Sequence, residues 1–466
     1  MTALWTSADA ESATLGRATR AFAAGGVSID TRTLKPADLF VALKGDARDG
    51  HAFVAHALAR GASAALVEQR PEGVGEGAPL LQVSNTQRGL EDLGRWARKR
   101  AQARVIAVTG SAGKTTTKEM LRIAFGPLGP THASQSSYNN HLGVPLSLAQ
   151  FPRDSSFGVF EIGMNHFGEI RSLVSFVRPH VALVTTIAPA HLEYFGTIEA
   201  IADAKSEIFE SLSQEGTALV PSDNPLAPRL VARAHQAGAK RILAFGESSK
   251  ADARLLARRR EAEGMQIEAE ILGHAITFRL GADGGHMAQN AIAALLAVAA
   301  LEGDVQRAAA ALATFSALKG RGARFVLPLA QGSVEIIDES YNANPASMRA
   351  ALALLGGARL RDGGRRIAVL GDMLELGEQS SLLHAALADA VEDAKTDLVF
   401  ACGRDMRALF ETLPQSRRGA WGESSSDIAP KVAHALQAGD EVLVKGSLGS
   451  HMAVILDAIR SQGSGG

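Results

Sequence analysis

One segment of the chain has the residue types of a phosphate-binding loop between a buried strand and a helix. It follows the apolar run at 105–108 and precedes a helix-compatible stretch at 116–124. A tight turn in this position points backbone N–H groups and the positive end of a helix at one spot, which suits a phosphate group. The segment consists of Thr109, Gly110, Ser111, Ala112, Gly113, Lys114, Thr115 and Thr116.

Within this loop, Lys114 is predicted to reach the outer phosphates, and the hydroxyl of Thr115 or Thr116 to hold Mg²⁺. The spacing departs from the standard P-loop, which has four residues between its glycines. Here only two residues separate Gly110 from Gly113. The alternative interpretation is a glycine turn that binds nothing, which would leave the adjacent lysine and threonines without a role.

Two further residues are predicted to lie at the same edge of the sheet. Glu161 closes a predicted strand at 159–162, and a carboxylate in a buried strand is costly unless it has a partner such as Mg²⁺. His191 lies just past a predicted strand at 181–187, again at the ligand-binding edge of an open sheet. Position alone leaves His191 open between a ligand and a surface bystander.

Two helical positions carry polar groups that are unusual for their surroundings. Lys205 shares one helical face with Ile201 and Ile208, where a lysine usually extends its amine to solvent. His286 and Asn290 are one turn apart at a helix start, and the Asn290 amide could pair with an adenine edge. Helix capping is the competing explanation for the second pair.

Polar clusters also follow two strands predicted in the last third of the chain. One is the segment 338–345, which begins with Asp338 and contains Tyr341, Asn342 and Asn344. The other is 371–377, which follows the strand at 367–370. So many polar groups at strand ends suggest hydrogen bonding to a polar ligand rather than simple turns.

The elements that position these residues alternate between strands and helices. With 466 residues, the length predicts roughly three domains, which we place at 1–103, 104–320 and 321–466. The central unit has predicted parallel strands and a hairpin around Gly273, and the third is predicted to be a small doubly wound sheet of Rossmann type. No G-x-G-x-x-G turn is present there, so a dinucleotide is not implied. The fold class is therefore α/β.

Composition excludes several function classes. The 48 basic and 49 acidic side chains nearly balance, so no field recruits nucleic acid or an anionic membrane. The single cysteine, Cys402, ends an apolar run and is predicted to be a small core residue in a reducing compartment. No apolar run is long enough to span a bilayer and the first residues lack a signal pattern, so we expect a soluble cytoplasmic protein. The tail at 461–466 is predicted to be disordered.

Taken together, these motifs resemble the Mur ligases of peptidoglycan synthesis. The phosphate loop has the spacing found in that family. Residues 340–345 (SYNANP) and 371–377 (GDMLELG) are similar to the members that add D-alanyl-D-alanine. In the first unit, 30–32 and 38–51 resemble the UDP-binding segment of those members, and 139–145 resembles their Asn-Asn-x-x-Gly-x-Pro stretch.

The resemblance implies three domains: a small α/β domain that binds UDP, a central phosphate-loop ATPase domain with a parallel sheet, and a C-terminal Rossmann-like α/β domain on the D-Ala-D-Ala side. It implies ATP-driven amide formation between UDP-MurNAc-tripeptide and D-Ala-D-Ala through an acyl phosphate, by a monomer without nucleic-acid or membrane partners. The residues it implies on the substrate side are Thr31, Arg32, Lys44, Asn139, Asn140, Tyr341, Asn342 and Asn344.

For the nucleotide and metal, the resemblance implies that Asn290 contacts adenine and that Arg321 and Asp338 close over ATP. Two Mg²⁺ sites would be held by Thr115, Glu161, His191 and Lys205, the last as a carbamate formed with CO₂; Lys114, Lys205 and His191 would be the catalytic residues.

Some points stay open at this stage. Arg324 is a second candidate for the role of Arg321, and Leu448 follows 445–447 where relatives often carry a polar residue. The third residue of the peptide substrate, diaminopimelate or lysine, is not determined. A sister ligase that adds one amino acid, or glutamate to folate, shares the loop and Lys205. A non-ligase nucleotide switch shares only the loop.

Overall fold

The computed structural model describes residues 3–45, 48–135, 138–261, 264–329, 331–360 and 363–463. Three larger sheets lie in the three units predicted from sequence, and a small pair, β1 with β3, lies beside the first. The predicted α/β class is confirmed, while the domain boundaries at 103 and 320 remain predictions.

The first unit is a mixed five-stranded sheet in the order β2-β7-β6-β5-β4, with β2 antiparallel to its neighbour. The strands of this sheet are β2 (Arg17–Ala18), β4 (Gly26–Ser28), β5 (Asp38–Val41), β6 (Ala64–Val67) and β7 (Leu80–Gln82). The separate pair consists of β1 (Trp5–Thr6) and β3 (Ala23–Ala24). The helices of this unit are α1 (Ser7–Thr14), α2 (Val54–Ala59) and α3 (Thr86–Arg100), with a 3₁₀ turn at Gly50–Phe53.

The central unit is a nine-stranded sheet in the order β16-β15-β14-β13-β12-β11-β8-β10-β9, parallel from β14 to β9. Its strands are β8 (Arg104–Thr109), β9 (Thr131–Ala133), β10 (Phe157–Glu161), β11 (Val181–Val184), β12 (Thr217–Pro221), β13 (Arg241–Gly246), β14 (Ala253–Arg260), β15 (Met265–Ile271) and β16 (His274–Leu280). Its helices are α4 (Lys114–Phe125), α5 (Gly143–Ala149), α6 (Glu169–Val177), α7 (Leu192–Phe195), α8 (Ile198–Ser206), α9 (Ala227–Gln236), α10 (Gly285–Ala300) and α11 (Val305–Ala311), with 3₁₀ turns at Gly126–Leu128, Glu207–Ser211 and Leu312–Thr314.

The third unit is a six-stranded sheet in the order β17-β18-β22-β19-β20-β21, parallel except for the β17–β18 hairpin. Its strands are β17 (Ala323–Leu329), β18 (Gly332–Glu339), β19 (Arg366–Gly371), β20 (Leu398–Cys402), β21 (Arg418–Gly422) and β22 (Glu441–Lys445). Its helices are α12 (Pro345–Gly356), α13 (Ser380–Ala385), α14 (Ala388–Asp393), α15 (Met406–Thr412), α16 (Ser425–Ala435) and α17 (Ala453–Gly463), with 3₁₀ turns at Gly377–Gln379, Gln415–Arg417 and Leu448–Ser450.

Three expectations are corrected. The strand predicted at 181–187 ends at Val184, because the following residues bond the phosphate loop instead of continuing the ladder. Strand β14 was missed, since its exposed arginines hide the alternation of a half-buried strand. Residues 461–463 of the predicted disordered tail belong to α17, and 464–466 lie outside the described residues.

Apolar packing holds the central sheet rigid around the site. Every residue from Val105 to Val108 in β8 is fully buried, and α10 packs its alanines and leucines against the same sheet. Cys402 is buried as predicted, and burial raises the pKa of its thiol to about 12. In the described part of the chain, no helix combines the length and the apolar character needed to cross a bilayer.

Candidate active site

A cavity of about 440 Å³ lies between the central and third units. Its wall combines the turn after β8, the ends of β10 and β11, the first turn of α10, the linker before β17 and the first turn of α12. The site residues predicted from sequence that line it are Ser111, Ala112, Gly113, Lys114, Thr115, Thr116, Asn139, Glu161, His191, Asn290, Arg321, Tyr341, Asn342 and Asn344. Residues separated by more than two hundred positions in sequence therefore share one space.

The phosphate loop has the strained backbone that its glycines predict. Gly110 has φ +149° and lies so close to the Thr185 hydroxyl that a Cβ there would meet its oxygen at 1.9 Å. Gly113 has φ +81° and precedes α4 without any side-chain cap, so the first N–H groups of that helix keep no side-chain acceptor. The Lys114 amine donates to the Gly110 carbonyl at 2.8 Å, folded back over the loop. Burial lowers the pKa of Lys114, opposed by the charge of Glu161.

Two residues of the cavity wall each have a buried oxygen without a hydrogen-bond partner in the described part of the chain: Thr115 at Oγ1 and Glu161 at Oε2. Only the other Glu161 oxygen is used, accepting from Asn139 Nδ2 at 2.8 Å. An unpartnered buried carboxylate oxygen is costly, and hard oxygen donors are what Mg²⁺ prefers. These two residues therefore fit a magnesium ion.

His191 lies at the start of α7 with φ +60°, an uncommon backbone for a non-glycine residue. Its ring Nδ1 contacts a carboxylate oxygen of Glu375, which comes from the third unit. The bond lowers the pKa of Glu375. No group of three His, Cys, Asp or Glu residues suited to a metal occurs within the described ranges. A metal at this edge would therefore depend on other oxygens, such as the Thr115 hydroxyl.

Lys205 does not extend to solvent, so the alternative of a snorkelling lysine is wrong. It is 1% exposed on α8. Burial and the neighbouring charge of Lys114 lower its pKa well below the usual value, which favours the neutral amine. Lys205 is not part of the cavity wall, although it is close enough for the charge of Lys114 to act on it.

The adenine candidates lie on α10, which begins at Gly285 after the uncapped Gly284. Because no side chain caps this helix, the alternative that Asn290 or His286 is a cap is wrong. Asn290 is buried, and its amide lies against the loop, 3.1 Å from where a Cβ of Gly113 would stand. His286 also lines the cavity, and burial lowers its pKa.

The two candidate arginines, Arg321 of the linker and Arg324 of β17, have different surroundings. Arg321 lines the cavity, and its guanidinium stacks 4.0 Å from the centre of the Tyr341 ring. Arg324 lies outside the cavity wall and donates to Glu335 at 2.9 Å and to Glu441 at 2.6 Å. The structure thus brings Arg321, and not Arg324, to the phosphate loop.

Asp338 is placed differently from its sequence prediction. It is 1% exposed, and its carboxylate accepts from the Gly320 N–H at 3.1 Å and from the Ser340 hydroxyl at 2.6 Å. It does not line the cavity. Its geometry fixes the linker that carries Arg321, because it bonds the residue just before that arginine.

The predicted substrate residues of the first unit are not brought to the cavity. Arg32 pairs with Asp30 at 2.6 Å, near a separate pocket of about 360 Å³ lined by Asp30 and Tyr138 among others. Thr31 and Lys44 line neither space. Asn140 of the central unit lines neither space, and its Oδ1 accepts from the Gly143 N–H at 2.9 Å.

One cavity residue of the third unit was left in doubt by the sequence. Lys445 ends β22, is 1% exposed and donates to the Asn342 carbonyl at 2.9 Å and to Glu339 at 3.2 Å. The feature of the sequence that could have identified Lys445 is a lysine at the end of an apolar strand. Leu448, three residues on, is 64% exposed and lies outside the cavity wall.

Comparison with known proteins accounts for this arrangement. Residues 24–97 match the Mur ligase family catalytic domain, 108–298 the Mur ligase middle domain, and 323–448 the Mur ligase glutamate ligase domain. Together the three matches cover most of the chain. The chain belongs to the Mur ligase family. Relatives within this family align over nearly their whole length.

Two curated Mur ligases illustrate the similarity. The UDP-N-acetylmuramoyl-tripeptide–D-alanyl-D-alanine ligase of Escherichia coli is 34% identical over 94% of this chain and 94% of its own. The protein of the same name from Rickettsia prowazekii is 32% identical over 92% of this chain and 94% of its own.

Solved Mur ligases give the same result in three dimensions. MurF from Acinetobacter baumannii superposes with a TM-score of 0.84 at 31% identity, covering 98% of this chain and 99% of its own. MurF from Thermotoga maritima, solved in complex with ADP, gives 0.77 at 26% identity, covering 94% and 98%.

Proposed function

We propose that this chain is an ATP-dependent ligase that joins D-alanyl-D-alanine to UDP-N-acetylmuramoyl-tripeptide, giving the pentapeptide, ADP and phosphate. The observation that carries the proposal is the cavity that combines the phosphate loop with the first turn of α12 and with Arg321. The relatives named for this reaction are similar over 92% and 94% of the chain, and the family match includes residues 323–448 of the third unit.

The reaction has two steps. A terminal carboxylate oxygen of the tripeptide attacks the γ-phosphorus, and the bond to the bridging oxygen breaks, giving an acyl phosphate and ADP. The neutral amine of D-Ala-D-Ala then attacks the acyl carbon, phosphate leaves, and the amine gives up a proton. The main barrier is repulsion between a carboxylate and a triphosphate, so catalysis rests on positioning and on cations.

The chain's own residues meet this requirement from two sides. Lys114 and the uncapped N-terminus of α4 supply positive potential at the phosphate loop. Arg321 supplies a second cation from the linker, held by its stacking on Tyr341. Asn290 and His286 line the cavity at the start of α10, where the adenine ring of ATP would lie.

Mg²⁺ fits this site as a resident cofactor. We assign Thr115 and Glu161 to it on their unpartnered oxygens, with His191 and a carbamate of Lys205 completing two sites. When bound, the metal would neutralise phosphate charge and align the attack. An ammonium cannot ligate Mg²⁺, whereas a carbamate supplies anionic oxygens. The neutral amine that burial favours at Lys205 is the species that adds to CO₂, losing one proton to form the carbamate.

A single assay tests the function: phosphate release from ATP that requires both UDP-MurNAc-tripeptide and D-Ala-D-Ala. Comparing the tripeptides that end in diaminopimelate and in lysine would identify the third residue. Release with single amino acids, with folate and glutamate, or without any acceptor would contradict the proposal and favour a sister ligase or a nucleotide switch. We further propose that the enzyme acts in the cytoplasm as a monomer. Light scattering would measure its molar mass and test the monomer.

A further inference from the structure

Asn344 links the third unit directly to the phosphate loop. It is 3% exposed, and its Nδ2 donates to the carbonyl of Ser111 at 3.2 Å across 233 residues of sequence. Its Oδ1 is used at the same time, accepting from the Ser347 N–H at 2.9 Å as the cap of α12. The sequence prediction gave this residue a contact with substrate, yet both ends of its side chain are already bonded to protein.

The bond to Ser111 falls on a peptide group whose orientation matters for phosphate. The other polar groups of Ser111 are bonded inside the central unit: its N–H to Thr186 at 2.9 Å and its hydroxyl to Ala188 at 2.9 Å. Its carbonyl is the group that the third unit holds. In a planar trans peptide the carbonyl and the next N–H point in opposite directions, so fixing this carbonyl also fixes the N–H of Ala112.

Ala112 lines the cavity, and its N–H makes no backbone hydrogen bond to any described residue. Backbone N–H groups of this loop are the donors that a phosphate would use. The side chain of Asn344 is also bonded within its own unit, because its Oδ1 caps the buried start of α12. The third unit thus contacts the loop through a side chain whose other end is already held by a helix cap.

We propose that Asn344 is a positioning residue that couples closure of the third unit to the orientation of the 111–112 peptide, so that the phosphate loop reaches its reactive geometry only when the domain carrying the acceptor side is in place. This rests on the proposed ligase function and deepens it. The device ties ATP activation to a closed enzyme, because the open enzyme keeps its nucleotide site but lacks the fixed Ala112 donor.

The test replaces the long side chain by a short cap. Asn344→Ser retains an oxygen that can cap α12 but cannot reach Ser111, and Asn344→Asp keeps the size and the cap while it removes the donor. The matched control is Ser424→Ala, which removes the capping box of α16 in the same unit, on an exposed surface away from the cavity. All variants are compared with the wild-type enzyme by melting temperature, steady-state kinetics and calorimetry with a non-hydrolysable ATP analogue.

Movement of the third unit toward the central unit is measured by fluorescence resonance energy transfer. The two labels are attached at Glu215→Cys in the central unit and Glu392→Cys in the third, both exposed positions. The native Cys402 is buried, so the labels go to the introduced thiols. We expect kcat to fall roughly tenfold in both Asn344 variants, the fold-change for one buried hydrogen bond. The KM for D-Ala-D-Ala and the binding of the analogue should stay within about twofold, while analogue-induced closure weakens.

Three outcomes would overturn the proposal. A rise in KM for the dipeptide at unchanged kcat would make Asn344 a substrate contact. Wild-type kinetics and closure in Asn344→Ser would remove any coupling role. An equal loss of kcat in Ser424→Ala would reduce the effect to domain stability. If the wild-type enzyme itself failed to release phosphate with these substrates, the proposed ligase function would be refuted. Binding of the analogue and the movement of the third unit would still test the role of Asn344.

Discussion

Separate substitutions of Arg324 in β17 and Arg321 in the linker should have different effects, the first on stability and the second on catalysis. Arg324 is 21% exposed and bonds both Glu335, which is 40% exposed, and Glu441, which is 4% exposed. Its removal leaves the Glu441 carboxylate buried beside a second one. Breaking a buried ion pair costs about 3–5 kcal/mol, and the exposure of Glu335 places Arg324→Ala at the lower end, about 3 kcal/mol.

For a unit of this size that loss corresponds to a fall in melting temperature on the order of 10 °C. Glu441→Gln in the Arg324→Ala background should restore part of the loss, because it removes the stranded charge. Below the melting transition, kcat of Arg324→Ala should stay within about threefold of wild type, since its side chain lies outside the cavity wall.

Arg321→Ala should behave in the opposite way. Its stacking on Tyr341 is worth about 1 kcal/mol, so the melting temperature should move by only a few degrees. Loss of a cation facing the phosphates should lower kcat/KM for ATP by at least about tenfold. Thermal unfolding and phosphate release measure both variants. An inactive but stable Arg324→Ala, or a fully active Arg321→Ala, would refute this division of roles.

Two further predictions concern titration and the carbamate. Lys205→Ala should lose most activity and regain part of it with formate or acetate, and ¹³CO₂ should give a carbamate signal in wild type only; full activity of the variant would exclude the carbamate. His180 accepts from the Val105 N–H at 2.9 Å, and burial, with nearby arginines, lowers its pKa to about 4. Because the unfolded chain takes up that proton near pH 6.5, stability should fall as pH drops from 6.5 to 4, by up to about 3 kcal/mol. Asn at this position keeps an acceptor without titrating. The free energy of unfolding of His180→Asn, measured by urea denaturation at several pH values, should therefore depend less steeply on pH than that of the wild type. An equal pH dependence would exclude His180 as the source.

The parts of the site that sequence predicts well are local. The loop at 109–116 is readable because an apolar strand, two glycines and a helix start follow one another directly, and the structure places them so. Glu161 is readable for a similar reason: a carboxylate ending a buried strand needs a partner. In both cases the signal lies within about ten residues of chain, where spacing and burial pattern determine geometry.

The parts that sequence could not predict depend on tertiary contacts outside the local chain. Nothing local distinguishes Arg321 from Arg324, because their difference comes from strand pairing: β17 carries Arg324 toward Glu441 of β22, two strands away. The same holds for Asp338, whose carboxylate turns to the linker at Gly320 rather than to the cavity. A polar residue at the end of a strand indicates a functional edge, but its partner is set by tertiary packing, which joins residues 117 positions apart for Arg324 and Glu441 and 18 apart for Asp338 and Gly320.

The three helices that meet at the cavity show how the work is divided between the units. Helices α4 and α10 of the central unit begin after Gly113 and Gly284 without side-chain caps, so their N–H groups remain available to anionic groups of a ligand. Helix α12 of the third unit begins with a complete capping box at Asn344. The cap satisfies the Ser347 N–H within the protein, so this helix start offers an anionic ligand fewer donors than the starts of α4 and α10. What it adds is position: Asn344 holds the loop, and Arg321 enters with the linker. An enzyme built this way binds nucleotide with one domain and makes it reactive with another.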